Sequence, residues 1–217
     1  LKERGVTAVA ICLLHSYINP VHEKRTEEIV RSIMPTGTFI CSSYEVLPEI
    51  REYERTSTTV VNAYLGPVLS HYLFQLRKKL DDINLKSPLY VMQSGGGQMS
   101  DKAAMNLPAY FVESGPAAGV VAAAEIAKQV GLDQIITLDI GGTTAKTGII
   151  ENGEPSRTTE YEVGAGINLS SKLVKGAGYA IKLPFIDVSE IGAGGGSLVW
   201  FDEGGLMKVG PQSAGST

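Results

Sequence analysis

Apolar residues along this chain follow two periods, and the change from one to the other marks out the elements. Val6–Tyr17 is a β-branched, apolar run that predicts a buried strand ending at Asn19-Pro20. Val21–Ile33 spaces its apolar residues among HEKRTEE, predicting a solvent-facing helix stopped near Pro35. Thr38–Ser43 predicts a second strand. From Thr56 to Leu80, Val60, Val61, Tyr64, Leu65, Val68, Leu69, Tyr72, Leu73 and Leu76 recur at three- and four-residue spacing. That is a long helix, and Gly66-Pro67 inside it predicts a bend or a break. Pro88–Gln93 reads as a short strand running into Ser94-Gly95-Gly96-Gly97. Ala117–Val130 is an alanine-rich helix, introduced by Ser114-Gly115-Pro116 and stopped by Gly131. Gln134–Ile150 reads as two strands joined by a diglycine turn. After Asn152-Gly153 the chain becomes glycine-rich and less regular, with one more strand-like stretch at Phe185–Val188. Strands alternating with helices predict an α/β fold. No internal repeat or low-complexity tract interrupts the pattern.

The diglycine turn carries the chemistry. Its sequence is QIITLDIGGTTAKTGII, with Asp139 at the mouth, Gly141-Gly142 in the turn, and Thr143, Thr144 and Lys146 beyond it. An ordinary hairpin would need no more than the two glycines. The full D-x-G-G-T-T-x-K between two strands points instead to a phosphate-binding hairpin. Without a Cβ at Gly141 or Gly142, an anion can approach the backbone N–H groups closely. Mg²⁺ commonly takes one or two carboxylates plus substrate phosphates, and Asp139 suits that part. Lys146 adds positive charge only if its side chain turns inward, and an outward position is equally open. A second glycine run, GAGGGS at Gly192–Ser197, fails the dinucleotide fingerprint because its sixth position is Ser197. The run still offers backbone N–H groups at Gly194, Gly195 and Gly196, or else is a plain loop. Asp187 is the nearest upstream carboxylate, a candidate metal or substrate contact or simply a solvated acid.

Composition excludes several other functions. The 217 residues are 43% hydrophobic with a formal charge of −4, which supplies no basic footprint for nucleic acid. No apolar run approaches membrane-spanning length, and no signal-peptide pattern opens the chain. Two cysteines, Cys12 and Cys41, make neither a disulfide framework nor a metal cluster; buried, reduced thiols are expected. His15, His22 and His71 are too scattered for a zinc site. Glu52, Glu54 and Arg55 precede the long helix and read as capping and charge-pair residues.

The hairpin resembles the phosphate loops of the actin-like and sugar-kinase ATPases. Four more stretches narrow the resemblance to the hydantoinase A / 5-oxoprolinase family: Glu45–Pro67 (EVLPEIREYERTSTTVVNAYLGP), Tyr90–Ser100 (YVMQSGGGQMS), Glu113–Ala127 (ESGPAAGVVAAAEIA) and Ile191–Trp200 (IGAGGGSLVW). The resemblance covers essentially the whole chain. It implies a partial actin-like (ribonuclease H-like) fold with mixed sheets flanked by helices. It divides the chain into residues 1–112, the end of a first lobe with connecting helices, and residues 113–217, a hinge helix and the start of a second lobe. The small-residue helix Ala117–Val130 would cross a partner helix at the hinge, although composition alone says only that it packs on a sheet. ATP and Mg²⁺ are the implied cofactors, with Asp139 catalytic and metal-holding, and Asp187 a second metal contact. Gly141, Gly142, Thr143, Thr144, Lys146, Gly194, Gly195 and Gly196 are implied to hold nucleotide. The implied reaction is phosphorylation of an amide or enol oxygen of a cyclic amide or ketone, driving ring-opening hydrolysis or carboxylation. A hydantoinase B-type partner and a cytoplasmic location go with it. An ATPase switch or reactivating factor without turnover, and a small-molecule kinase, are the alternatives. Leu1 is no initiator Met and the chain stops in GPQSAGST, so an internal piece is expected. Residues 1–217 alone are accordingly expected to fold without hydrolysing or tightly binding ATP.

Overall fold

A computed structural model gives the structure of the chain and describes residues 1–163 and 178–215. Part of the glycine-rich stretch expected to be irregular, residues 164–177, lies outside these. Strand β1 (Ala8–Ile11) pairs in parallel with β2 (Phe39–Ser42), and α1 (Val21–Ile33) makes the crossover between them. β1 is shorter than its apolar run. Beyond Ile11 the chain turns through His15 at φ 59°, and Leu14 is left exposed.

A short α2 (Ser43–Val46) leads to α3 (Glu52–Asp82), which runs unbroken through Gly66-Pro67. Pro67 removes one helical N–H donor. The helix continues because packing holds it: the Phe39 ring occupies the space over Gly66 that a Cβ would need, and Ser70 Oγ donates to the Gly66 carbonyl.

The helical period of α3 is as expected, but its apolar pattern divides: Val60, Tyr64, Val68 and Tyr72 face outward at 47%, 80%, 74% and 58% exposed, whereas Leu73 is buried and Val61, Leu65, Leu69 and Leu76 are half-buried. Beside Ala63 and Gly66, the buried face of its first half carries four polar side chains, Arg55, Thr58, Thr59 and Asn62. Each of these side chains bonds to a neighbouring segment or to its own helix. Thr58 Oγ1 accepts the Lys182 N–H at 3.0 Å, and Thr59 Oγ1 donates to the Arg55 carbonyl. Asn62 donates to the Asn106 carbonyl and accepts the Ala109 N–H, both at 3.1 Å.

Arg55 is therefore not a surface capping residue. Its guanidinium, fully buried, donates to the carbonyls of Glu49 and Leu13 and lies over the Tyr17 ring. Glu23, also fully buried, accepts the Leu13 N–H at 2.7 Å, the Ser43 hydroxyl and the Tyr44 N–H. The peptide groups on either side of the Leu13 Cα are thus gripped by opposite buried charges.

Both cysteines are free. Cys12 is half-buried against Thr56, whereas burial pushes the Cys41 thiol up to about 11 and keeps it protonated.

The next segment forms hairpin β3 (Tyr90–Met92) and β4 (Gln98–Ser100), then α4 (Asp101–Asn106), capped by Ser100, and a 3-10 turn at Pro108–Phe111. Helix α5 (Ser114–Val130) leads into β5 (Ile135–Ile140) and β6 (Ala145–Glu151). Short strands follow: β7 (Glu154–Pro155), β8 (Arg157–Thr158), β9 (Tyr161–Val163), β10 (Tyr179–Ile181), β11 (Phe185–Ile186), β12 (Val188–Ile191), β13 (Ser197–Phe201) and β14 (Met207–Ser213). Among the described residues β12, β6 and β5 form one antiparallel sheet in that order, with β7 added on β6.

Helix α5 lies on this sheet. Ala117, Val120 and Ala124 meet Ile150, Ile186 and Val188 in a buried cluster. The approach is close at Gly148, where a Cβ would come within 2.6 Å of Val120 Cγ2. The small residues of α5 thus serve helix-on-sheet packing, and Gly119 and Ala122 are exposed. Altogether the chain is a mixed α/β fold, parallel at β1–β2 and antiparallel elsewhere among the described residues.

Candidate functional site

The β5–β6 register decides which side chains share a face. Ile135 pairs with Ile150, Thr137 with Gly148, and Asp139 with Lys146. Side chains alternate along a strand. Asp139 and Lys146 therefore emerge on the α5 side of the sheet, while Ile136, Leu138 and Ile140 leave on the other side and are exposed. Lys146 also pairs with Glu190 of β12, which sets Asp139, Lys146 and Glu190 in a row across three strands. A cavity of about 410 Å³ opens beside Asp139 and Lys146, bordered by Pro116, Gly119 and Ala123 of α5.

The Lys146 side chain is turned inward and its ammonium is engaged. It lies 3.0 Å from Glu113 Oε2 and 3.7 Å from Glu190 Oε1, with each of the three side chains no more than 25% exposed. Burial alone would lower its pKa. The Glu113 hydrogen bond and the two carboxylate charges outweigh burial and hold it above the ordinary lysine value. The stability that this raised lysine contributes is present below its ordinary value and is lost as pH climbs through the raised one. Glu113 sits at the N-cap of α5 in the left-handed region (φ 62°, ψ 20°) and makes no capping bond there.

The two glycine runs meet. In the hairpin turn the Gly141 N–H donates to the Thr144 carbonyl at 2.9 Å. The Gly195 N–H donates to the Gly141 carbonyl at 2.9 Å, and the Gly196 N–H to the Gly142 carbonyl at 2.8 Å. The Gly194 N–H donates to Ser197 Oγ at 2.8 Å. All three N–H groups of Gly194–Gly196 are therefore used within the chain, bracing the turn rather than facing outward. A Cβ on Gly194 would fall 2.7 Å from the Thr143 nitrogen and 2.6 Å from the Thr144 nitrogen. Gly142, by contrast, has open space where its Cβ would be. Gly194→Ala is expected to push the 192–197 loop off the turn at a cost of about 1–3 kcal/mol. A thermal melt of the variant matching the parent would refute that contact.

Asp187 stands apart from Asp139. It lies between Ile186 and Val188, both buried under α5, so its carboxylate leaves on the opposite side. There Oδ1 is buried without a hydrogen-bond partner, and the Asp187 N–H donates to the Ser156 carbonyl at 2.8 Å. The carboxylates brought to Lys146 are Glu113 and Glu190, which the sequence did not single out. Nothing local marks them; the register of β12 and the start of α5 bring them in. Among the described residues no group of three His, Cys, Asp or Glu gathers to hold a metal unaided, and no helix is long and apolar enough to cross a membrane. One exposed carboxylate beside an open turn fits a cation shared with phosphate, which needs few protein ligands.

Comparison with known proteins gives the family. The hydantoinase/oxoprolinase model matches residues 55–217, and its N-terminal-region counterpart matches residues 1–34. An uncharacterized protein of Methanocaldococcus jannaschii is 46% identical over all of this chain, which spans 32% of its length. The crystal structure of the ATP-dependent caprolactamase from Pseudomonas jessenii aligns over 99% of this chain and 29% of its own, with 35% identity and a TM-score of 0.70. The nucleotide-free structure of acetone carboxylase, from work on ATP-dependent acetone carboxylation, aligns over 98% of this chain and 28% of its own at 28% identity, with a TM-score of 0.77. This chain thus spans under a third of each of these relatives, and it belongs to the hydantoinase/oxoprolinase family.

Proposed function

We propose that this chain carries the phosphate-binding hairpin of an ATP-dependent enzyme acting on a small cyclic amide, with an actin-like lobe as its architecture. The observation that carries the reading is the exposed Asp139 at the mouth of a diglycine turn that is open at Gly142 and braced from behind by Gly194–Gly196. Phosphoryl transfer asks a protein mainly for positioning and charge neutralisation, and this turn is built for positioning. Asp139 would hold Mg²⁺, and the Thr143 and Thr144 hydroxyls and the turn backbone would hold phosphate oxygens. Bound Mg-ATP supplies the phosphoryl group that turns an amide oxygen into a leaving group. The ATP-dependent caprolactamase among the relatives favours ring-opening hydrolysis. The acetone carboxylase keeps as the second reading phosphorylation of an enol oxygen that drives carboxylation of a ketone by bicarbonate. A hydantoinase B-type subunit or domain completes the proposed enzyme.

The test is product analysis with the intact enzyme, ATP, and in turn caprolactam, 5-oxoproline, a hydantoin, and a ketone with bicarbonate. Ring opening coupled to ADP formation supports the proposal, and carboxylate formation supports the second reading. ATP turnover without product would replace both with a switch, and a released phospho-ester would indicate a kinase.

A further inference from the structure

Asp139 and Lys146 are cross-strand partners on one face of the sheet, the arrangement in which opposite charges ordinarily pair. They do not pair here. The Lys146 ammonium goes to Glu113 at 3.0 Å and to Glu190 at 3.7 Å, and no ion pair forms to Asp139. Lys146 stands between a carboxylate on each side, Asp139 on β5 and Glu190 on β12, so the strands alone leave the choice open. The third carboxylate, on α5, decides it.

Glu113 occupies a backbone position that suits glycine. Its φ of 62° is left-handed, and a glutamate there is strained. As an N-cap it also fails, since its side chain caps nothing. What the side chain does is hold Lys146. Strain kept at one residue whose side chain makes, among the described residues, one ion pair indicates that the pair has a use.

We propose that Glu113 is a positioning residue that draws Lys146 away from Asp139 and so keeps the Asp139 carboxylate free for a cation. The proposal rests on reading the β5–β6 turn as the phosphate site. Without Glu113, Lys146 turns to the neighbouring Asp139 and neutralises its charge. Glu113 touches neither cation nor phosphate; it acts through Lys146.

The experiment compares Glu113→Gln, Glu113→Gly and the double variant Glu113→Gln/Lys146→Met in the intact enzyme, with Mg-ADP binding followed by calorimetry. Both single variants are expected to weaken binding about tenfold or more, the scale of one charge-assisted hydrogen bond. Glu113→Gly also relieves the left-handed strain, and a thermal melt run beside it separates loss of binding from loss of fold. Removing the Lys146 ammonium in the double variant is expected to restore binding to near the parent level. A purely structural ion pair would show no such rescue. A crystal structure of nucleotide-free Glu113→Gln is expected to place Lys146 Nζ within 4 Å of an Asp139 carboxylate oxygen. Lys146 remaining on Glu190 in that structure, or a double variant that binds no better than the singles, would overturn the proposal. The structural result needs no nucleotide. Should the parent bind no Mg-ADP, the phosphate-site reading falls while the Lys146 position still tests this one.

Discussion

Asp139→Asn is expected to abolish ATP-dependent turnover while leaving the fold intact. The side chain is exposed and makes no ion pair, so an amide of the same shape leaves the hairpin undisturbed. What disappears is the negative charge that a divalent cation needs, in a site without a second free carboxylate among the described residues on that face. Losing one electrostatic stabiliser of a transition state typically costs about 10²–10³ in rate, and loss of the cation itself costs more. The assay is turnover with the substrate that passes product analysis, run beside a thermal melt. Normal turnover by a folded Asp139→Asn protein would remove Asp139 from the mechanism. Loss of turnover with loss of fold would move it from chemistry to structure.

The second large effect is on stability. Glu23→Ala and Arg55→Ala are each expected to destabilise the protein by about 3–5 kcal/mol, the scale seen when one member of a buried charged arrangement is removed. Glu23 serves three donors, and without it the Leu13 N–H, the Ser43 hydroxyl and the Tyr44 N–H are stranded. Arg55 joins the 47–51 loop to the loop after β1 by its bonds to the Glu49 and Leu13 carbonyls, and its loss releases both. Because the two charges hold the same residue, the double variant should lose less than the sum of the singles, by about 0.5–3 kcal/mol. Chemical denaturation measures all three. Costs under about 1 kcal/mol, or strict additivity, would show that the Leu13 clamp is not what fixes this corner.

That corner also shows where sequence reasoning reached its limit. Helix α1 was legible to the residue, because its apolar spacing and the prolines at both ends are local facts. The β5–β6 hairpin was legible for the same reason: alternation, a diglycine turn and matched apolar ends. The apolar row of α3 gave its period but only part of its buried face, because Thr58 and Asn62 are buried by partners over forty residues away. Arg55 looked like a surface charge since nothing in REYERTST records the carbonyls of Glu49 and Leu13 waiting for it. The strands after Glu154 are two to seven residues long and, apart from the apolar run at Phe185–Val188, are defined by what they pair with rather than announced by a local run. The meeting of the two glycine runs was legible only as two separate candidates; their contact depends on backbone geometry at Gly194 and Gly196.

That contact has a kinetic consequence. Two hydrogen bonds run in register from Gly195 and Gly196 to Gly141 and Gly142, and a third ties the Ala214 N–H to the Gly196 carbonyl at 2.8 Å. The Asp139 turn, the 192–197 loop and the end of β14 are therefore stitched into one cooperative unit. Amide exchange should report it: the Gly195, Gly196 and Ala214 amides are expected to exchange with a shared opening free energy and to respond together to Gly194→Ala. A ligand that seats on the turn would then slow exchange at Ala214, seventy residues further along the chain.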